Sequence, residues 1–363
     1  MARALLSAIR LAGYEPELAS TFRSYEGQGN QQQQQRLRLR AAIIRQRILN
    51  KYLAMTAQQR PAAWFSYHLY HKAPDLLGPQ ISRTLNIPYI VAEASHAPKQ
   101  AGGPWHDGYL AAREAMLMAA SVIALNPVDI ACVEQLLATS HGVSDRVSRL
   151  PPFFDAQRFR NWSQQKDACR KLSIELGLEP DIPVLICVAM MRSRAKMDSY
   201  TLLAAALKAM TQIPWQLVIV GDGPARRQVE SLFNDFSGRV RFVGCQKDRR
   251  LAQHMGLADI FVWPAINEAW GMVFMEAAAA GLPCVAGSAG GVPQVVSDQY
   301  SGLLVPVADR SAFGRALLKL LTDSKFRQKL SKGAIDKVLG EHDLQSAATR
   351  LEAIFDAQII DTF

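Results

Sequence analysis

Short apolar runs alternate with helix-like stretches along most of the chain. In the second half these runs are VLICVAMM (184–191), QLVIVGDG (216–223), VRFVG (240–244), DIFVWP (259–264), PCVAG (283–287) and GLLVP (302–306). Continuous apolar strands that alternate with helices are typical of a parallel sheet covered on both faces. The pattern therefore predicts an α/β fold, and ligands of such sheets bind at the carboxyl ends of the strands.

The first half repeats this alternation less regularly. Strand-like runs are found from residue 64 onward: WFSYHLY, PYIVAEA and ASVIAL. Ahead of them, apolar residues at helical spacing predict one helix over residues 2–12, closed by Gly13, and a second helix after the polar tract GQGNQQQQQ (27–35). The apolar face of the second helix consists of Leu37, Ala41, Ile44, Ile48 and Tyr52.

The tract LPPFFDAQRF (150–159) interrupts the alternation near the middle of the chain. Because it combines two prolines with two aromatic residues, we interpret it as an interdomain linker. The predicted domains are residues 1–152 and residues 153–341. A final helix within 342–363 is expected to return to the first domain.

Composition and charge restrict the function classes. The chain has 363 residues, of which 49% are hydrophobic and 20% charged, and this excludes a disordered or fibrous protein. A net charge of +9 favours an anionic partner: a nucleotide, nucleic acid or an acidic membrane surface. No apolar run is long enough for a membrane span. Five widely spaced cysteines in apolar surroundings predict reduced, buried thiols in a cytoplasmic protein; they are Cys132, Cys169, Cys187, Cys245 and Cys284.

Residues 31–60 carry seven basic residues and no acidic one. This segment is either a solvated basic face or a contact for a membrane surface or an anionic acceptor. The basic residues are not interleaved with aromatic residues and belong to no recognised nucleic-acid module, so nucleic acid is not an expected partner.

The strongest motif is NEAWGMVFMEAAAAGLPCVAGSAGG (267–291), directly after the run DIFVWP. Glu268 and Glu276 are eight residues apart with Gly271 between them, which predicts a turn carrying Glu268 and a helix carrying Glu276. Backbone N–H groups near the start of that helix, at 270–273, would attract an anion. Carboxylates among apolar residues indicate recognition of hydroxyl groups; the alternative is two solvent-exposed glutamates flanking a buried helix.

This motif resembles the E-x7-E motif of retaining glycosyltransferase family 4, which has the GT-B fold. Gly281, Pro283 and the Gly290–Gly291 turn also match the family pattern. The resemblance implies two doubly wound, Rossmann-like domains facing a cleft, with a nucleotide sugar in the second. It further implies that Glu268 holds sugar hydroxyls and Glu276 the ribose. The amides of Gly271, Met272 and Val273 would help to hold the diphosphate.

Further stretches resemble the family in the same order. MMRSRAKMDSYTLLAAAL (190–207) resembles the loop in which an arginine and a lysine hold the donor diphosphate, and Arg192 and Lys196 are the candidates, with Arg194 as a substitute. VIVGDGPARRQVESL (218–232) resembles the glycine turn at which the backbone approaches the nucleotide. Its glycines also suit a simple tight connection. The remaining donor-side candidates are Gly221, Gly223, Val243 and Gly244.

In the first half the resemblance selects fewer residues. Glu93 and His96 are acceptor-side candidates, and either could be an ordinary loop or strand residue. His68 and His71 either line the same crevice or support it. No cluster has metal-ligand spacing and no D-x-D is present. Because the family works without a metal, we expect no cofactor and a nucleotide sugar as co-substrate.

The sequence departs from the family at several positions. Ala189 replaces a glycine, Ala269 and Trp270 replace Gly-Phe, Gln294 replaces a glutamate, and three residues rather than four separate Arg192 from Lys196. These departures concern the sugar preference. Family members also open with a β-strand and a glycine-rich loop, whereas Met1 lies at the helix that follows them, so we expect the N-terminal sheet to lack a strand.

The resemblance predicts a metal-independent retaining glycosyltransferase that moves a sugar to a hydroxyl of a polysaccharide, a lipid-linked acceptor or a small glycoside. We expect it in the cytoplasm, with a peripheral contact at the inner face of the membrane through the basic helix at 36–51. The alternatives are a non-catalytic GT-B remnant that binds a nucleotide or a partner protein, and a nucleotide-sugar epimerase or phosphorylase.

Overall fold

The computed structural model describes residues 1–138, 146–236, 238–268 and 271–359. The chain forms two compact units. Unit 1 comprises Met1–Pro152 and Leu344–Phe363, and unit 2 comprises Phe153–Asp343.

The elements of unit 1 come from both ends of the chain. Its helices before the linker are α1 (Ala2–Leu11), α2 (Gln31–Leu53), α3 (Gly78–Leu85), α4 (His106–Met118) and α5 (Pro127–Ala138). Its strands are β1 (Trp64–Leu69), β2 (Tyr89–Ala94), β3 (Ser121–Ala124) and β4 (Val147–Arg149), and short 3₁₀ helices cover Ala57–Gln59 and Pro98–Gln100.

Unit 2 consists of a single continuous segment of the chain. Its helices are α6 (Ala156–Ser163), α7 (Lys166–Glu175), α8 (Ala195–Lys208), α9 (Arg226–Leu232), α10 (Asp248–Gly256), α11 (Met272–Ala279), α12 (Val292–Val295), α13 (Arg310–Thr322) and α14 (Ser324–Glu341). Its strands are β5 (Val184–Val188), β6 (Gln216–Val220), β7 (Val240–Phe242), β8 (Ile260–Trp263), β9 (Cys284–Gly287) and β10 (Gly302–Val305), with a 3₁₀ helix at Asn234–Phe236. The last helix, α15 (Leu344–Ile359), belongs to unit 1 and contacts α1.

Unit 1 contains a parallel sheet with strand order β1-β2-β3-β4. The three strand-like runs of the first half are strands β1 to β3. The polar tract before the second helix is not a separate segment, because α2 begins at Gln31 and so includes the run of five glutamines at the end of this tract. Two side chains explain this start: Asn30 accepts a hydrogen bond from the Gln33 amide, and the buried carboxylate of Glu26 accepts from three amides and from Gln34.

Unit 2 contains a six-stranded parallel sheet with order β10-β9-β8-β5-β6-β7. From β5 the chain adds β6 and β7 on one side, and it then continues with β8, β9 and β10 on the other. The order therefore reverses between β5 and β8, and the loops that leave the carboxyl ends of these two strands diverge there. Such a switch point is the usual ligand site of a doubly wound sheet.

Two expectations from the sequence need correction. The tract predicted as a linker is only partly a connection, since α6 begins at Ala156 with Asp155 as its N-cap. The cysteines are all free thiols, but only Cys169, Cys187 and Cys284 are buried. Cys132 and Cys245 are exposed, because one lies on the outer side of α5 and the other in the connection after β7. Within the described ranges, no helix has the length and apolar character needed to cross a bilayer.

Candidate active site

The switch point of unit 2 brings together two charged residues that the sequence places 72 residues apart. Lys196 lies in the first turn of α8, after β5, and Glu268 lies in the loop after β8. The Lys196 Nζ donates to Glu268 Oε2 at 2.5 Å, and the two side chains are only 23% and 17% exposed. An ion pair therefore bridges the crevice between the diverging loops.

Trp263 holds this pair in place. Its indole N–H donates to the same Glu268 oxygen at 3.2 Å, and its ring lies 5.3 Å from the Lys196 Nζ. Glu268 Oε2 thus has two donors, whereas Oε1 accepts no hydrogen bond from the part of the chain that the structure describes. The lysine also keeps N–H donors beyond the one it gives to Glu268. The site can therefore offer both a free acceptor and a free donor to a ligand.

The loop that carries Glu268 has a strained backbone. Ala265 and Asn267 both have positive φ angles, +58° and +53°, which non-glycine residues rarely adopt. The fully buried hydroxyl of Ser199 accepts a hydrogen bond from the Ile266 amide at 3.0 Å and so ties this loop to α8. Backbone strain of this kind concentrates at functional sites, where the surrounding structure imposes it.

Gly271 separates the turn from the helix, as predicted. Its φ of +66° is a left-handed conformation that suits glycine, and a Cβ there would lie 2.5 Å from the Phe274 ring. Helix α11 then begins at Met272, which is exposed, and Val273 is half-buried. The amides at its start have no partner within the helix and can bind an anion. Ala269 and Trp270, which the motif included, lie outside the described residues.

Glu276 lies on α11, half-buried and without a side-chain hydrogen bond to any described residue. Burial, with a smaller effect from Asp248, raises the pKa of Glu276 from 4.5 to about 7. A carboxylate that costs stability without an internal partner is a candidate ligand-binding group.

Close packing leaves no room for a side chain at the two glycines of the turn after β6. A Cβ on Gly221 would lie 1.9 Å from the carbonyl oxygen of Ala189, and one on Gly223 would lie 2.3 Å from that of Met191. The two loops are also joined by a hydrogen bond from the Met191 amide to the Asp222 carbonyl at 2.9 Å. The glycines therefore allow the turn after β6 to pack against the loop that leads to Arg192. Their contact with a nucleotide stays a prediction.

The remaining donor-side candidates lie in neighbouring loops. Gly244 accepts a hydrogen bond from the Gly221 amide at 2.8 Å, and Val243 donates its amide to Ile219 at 3.1 Å. Arg192 is exposed in the loop after β5 and has no side-chain partner within the described ranges. Arg194 precedes α8 with a φ of +66°. These residues follow β5, β6 and β7, which are adjacent strands of the sheet.

In unit 1 the acceptor-side candidate Glu93 is paired with His68. Glu93 Oε2 lies 3.4 Å from His68 Nδ1, and both residues have positive φ angles near the carboxyl ends of β2 and β1. His68 lowers the pKa of Glu93 against the effect of burial, and Glu93 raises the pKa of His68. His68 also lines a cavity of about 940 Å³ that runs along β1. It is thus a histidine with both a carboxylate partner and access to a cavity.

The other two histidines have different surroundings. His96 stacks on Tyr109 with ring centres 5.6 Å apart, and His71 contacts the edge of Trp105 at 5.8 Å. Burial lowers the pKa of both histidines, and this favours their neutral forms. Among the described residues, no group of three or more His, Cys, Asp or Glu side chains could hold a metal ion.

Sequence reasoning missed three residues that shape the crevice: Trp263, Ser199 and Tyr200. Trp263 ends an apolar strand and is indistinguishable there from a core residue. Tyr200 donates a hydrogen bond to the Ala189 carbonyl at 2.9 Å and contacts the Trp263 ring. Ser199 is the member that the sequence could have indicated, because it is a polar residue among the apolar positions of α8.

The segment that contains this crevice is similar to a known protein family. Residues 170–337 match the family model described as glycosyl transferases group 1. This segment of the chain is similar to group 1 glycosyl transferases. The matched segment includes the Lys196–Glu268 pair, Arg192 and Glu276.

The chain is also similar to a curated glycosyltransferase. A GDP-mannose-dependent monoacylated alpha-(1-6)-phosphatidylinositol monomannoside mannosyltransferase of Corynebacterium glutamicum is 29% identical over 233 residues, which are 61% of this chain and 58% of the relative. The chain therefore matches little more than half of that relative's length.

The structural comparisons extend over both units. A glycosyltransferase from Rickettsia africae has a TM-score of 0.70 at 14% identity and covers 96% of this chain and 84% of its own. Anabaena Alr3699/HepE in complex with UDP has a TM-score of 0.63 at 17% identity, with coverage of 87% and 82%. The fold is GT-B, and the fold class predicted from the sequence is confirmed.

Proposed function

We propose that the protein is a retaining glycosyltransferase that moves a sugar from a nucleotide-sugar donor to an acceptor hydroxyl. The observation that carries this proposal is the Lys196–Glu268 pair at the switch point of unit 2, within the segment that matches group 1 glycosyl transferases. It places a cation and a carboxylate with a free oxygen side by side, which suits a ligand with both phosphates and hydroxyl groups.

Each candidate has a role that its surroundings support. Lys196 and the exposed Arg192 would neutralise the diphosphate, whose charge grows as the glycosidic bond breaks. The free Oε1 of Glu268 would accept hydrogen bonds from sugar hydroxyls, and Glu276 would accept from the ribose. Amides at the start of α11 would bind the phosphates. With two cations and these amides available, the proposal needs no metal ion and no other cofactor.

The reaction that we propose takes place on one face of the sugar. The bond from the anomeric carbon to the diphosphate oxygen breaks, and the acceptor oxygen forms its bond on the same face, so the configuration is retained. The acceptor proton passes to the departing phosphate oxygen. Unlike a retaining glycosidase, this route needs no pair of carboxylates on both sides of the bond.

The acceptor belongs to the proposal as well. The Corynebacterium relative is named for its action on a phosphatidylinositol mannoside, and this supports a lipid-linked acceptor or another cell-envelope glycan. We place the acceptor side in unit 1, with Glu93 and His96 as candidates and His68 as the partner of Glu93. A lipid-linked acceptor would bring a cytoplasmic protein to the inner face of the membrane, with the helix at 36–51 as a peripheral contact.

Product analysis tests this function. The protein is incubated with nucleotide sugars, including GDP-mannose and UDP-glucose, together with an envelope lipid or glycan extract and a metal chelator. Release of nucleoside diphosphate is followed, and the anomeric configuration of the product is read by NMR. We expect a retained product that forms despite the chelator. An inverted product, a strict metal requirement, or a changed sugar without any acceptor, as an epimerase would give, contradicts the proposal.

Lys196→Met separates a role in the reaction from a role in binding. Because the leaving diphosphate gains charge in the transition state, we expect this variant to lower kcat by a larger factor than it weakens donor binding. Lys208→Met, which removes an exposed surface pair with Asp235 at 2.7 Å, is the matched control and should leave both unchanged. Equal losses in kcat and donor affinity for Lys196→Met would refute its role in the transition state.

A further inference from the structure

Helix α2 has an outer side that the fold leaves in solvent. Its inner side buries Ile48 and Tyr52, which pack with residues of α3. At about 100° per residue, seven residues of α2 fall within one arc opposite that buried side, with Gln32 and Asn50 near its two ends along the helix and five residues between them. These five are Arg36, Leu39, Arg40, Ile43 and Arg47, and we refer to them as the outer face of α2.

The outer face exposes two large aliphatic side chains. Leu39 is 64% exposed and Ile43 is 58% exposed, and at a spacing of four residues they are neighbours on the helix surface. A single exposed leucine is common in soluble proteins. Two adjacent aliphatic side chains enclosed by arginines instead form the amphipathic pattern of a helix that lies at a membrane interface.

The arginines of the outer face are unpaired within the part of the chain that the structure describes. Arg36, Arg40 and Arg47 make no ion pair and no side-chain hydrogen bond with any residue that the structure describes. The neighbouring Arg38 differs, because it pairs with Asp107 at 3.2 Å. Residues 27–74 also contain no aspartate or glutamate. The three guanidinium groups are therefore available to an external anion.

We propose that the outer face of α2 docks on an anionic lipid bilayer. This inference rests on the membrane contact in the proposed function and specifies its residues and its lipid class. Guanidinium groups bind phosphates bidentately, so the three arginines suit lipid headgroups. Leu39 and Ile43 would enter the boundary between headgroups and acyl chains. A soluble polyanion would also attract the arginines but would leave these aliphatic side chains in water, so charge and apolar exposure together favour the bilayer.

Cosedimentation with vesicles tests the docking. The full chain is mixed with vesicles of phosphatidylcholine alone or of phosphatidylcholine with phosphatidylglycerol, without nucleotide sugar. We expect binding only to the anionic vesicles. The triple variant Arg36→Gln/Arg40→Gln/Arg47→Gln should lose on the order of 100-fold in partitioning, at about fivefold for each arginine. Leu39→Gln/Ile43→Gln should lose about tenfold or more.

A matched surface and an insertion probe complete the test. Ile174 is 70% exposed on α7 of unit 2, next to the exposed Arg170, so Ile174→Gln should bind vesicles like the unchanged protein. Tryptophan fluorescence of Ile43→Trp should be quenched by brominated anionic lipid. The inference is overturned if the protein does not bind anionic vesicles, or if Leu39→Gln/Ile43→Gln binds them as strongly as the unchanged protein. It is also overturned if the lipid does not quench the fluorescence of Ile43→Trp. Because the vesicle assay contains no sugar donor, a failed transferase assay does not change its result. A failure to bind vesicles likewise does not decide whether the protein transfers a sugar.

Discussion

Replacing Glu276 with glutamine should stabilise the ligand-free protein at alkaline pH. The pKa of Glu276 rises from 4.5 to about 7 because the carboxyl is buried, with Asp248 adding to the effect. Each pKa unit between the folded and unfolded states corresponds to about 1.4 kcal/mol. Ionised Glu276 therefore lowers the free energy of unfolding by up to about 3 kcal/mol above pH 7, and Glu276→Gln removes this cost.

The pH dependence of this effect has a definite sign. Below pH 4.5 the carboxyl is protonated in both states and costs nothing. Between pH 4.5 and about 7 the unfolded chain binds fewer protons than the folded protein, so stability falls as pH rises. The free energy of unfolding of Glu276→Gln should therefore exceed that of the original protein by no more than about 0.5 kcal/mol at the lower end of this range. The excess should reach its full size at the upper end.

Urea unfolding followed by tryptophan fluorescence measures this difference, since Trp215 and Trp263 are buried in unit 2. The matched control is Glu230→Gln, because Glu230 pairs with Arg226 at the surface and its loss should change stability by less than about 0.5 kcal/mol at any pH. The burial argument for Glu276 is refuted if Glu276→Gln is no more stable than the original protein at pH 8. It is also refuted if the variant gains as much free energy of unfolding at pH 4.5 as at pH 8.

Two further predictions concern stability. Gly221→Ala should destabilise the protein by more than about 2 kcal/mol in a thermal melt, since its Cβ would lie 1.9 Å from a backbone carbonyl oxygen. Gly314→Ala, with open space around it inside α13, should instead stabilise the protein by about 0.5 to 1 kcal/mol, and equal effects would contradict the packing argument. Burial alone would raise the pKa of Glu26, but hydrogen bonds from Gln28, Gly29, Gln34 and Asn30 lower it overall. The original protein should therefore lose stability as the pH falls below 4.5, and Glu26→Gln should lack this acid-dependent loss in melts between pH 3 and 7; an unchanged acid dependence would show that Glu26 is not its source.

The sheet of unit 2 could be predicted from the sequence because all of its strands except the edge strand β7 are buried almost completely. A buried parallel strand is a continuous apolar run, and all six predicted runs contain the observed strands. Strand β4 escaped prediction because its three residues, VSR, include only one apolar side chain. The glutamines at the start of α2 were not predicted as helical because they contain no apolar residues at helical spacing. The start of this helix depends instead on hydrogen bonds to Asn30 and Glu26.

The candidate site was only partly accessible to sequence reasoning. The motif at 267–291 identified Glu268, Gly271 and Glu276, because a glycine between two glutamates after a strand predicts a turn and a helix. The contact between Lys196 and Glu268 could not be derived, because it follows from the strand order that places β5 beside β8. Trp263 could not be identified either, since its hydrogen bond to Glu268 depends on that same contact.

The most direct test of the account is thermal stabilisation by nucleoside diphosphates and nucleotide sugars, measured on the original protein and on Glu276→Gln. A ligand at 100 times its Kd adds about 2.7 kcal/mol of stability, which corresponds to a rise in Tm of roughly 5–10 °C for a domain of this size. We predict such a rise with at least one nucleotide sugar for the original protein and little or none for Glu276→Gln. No rise with any nucleotide, or the same rise in both proteins, would contradict a donor site in unit 2 around Glu276.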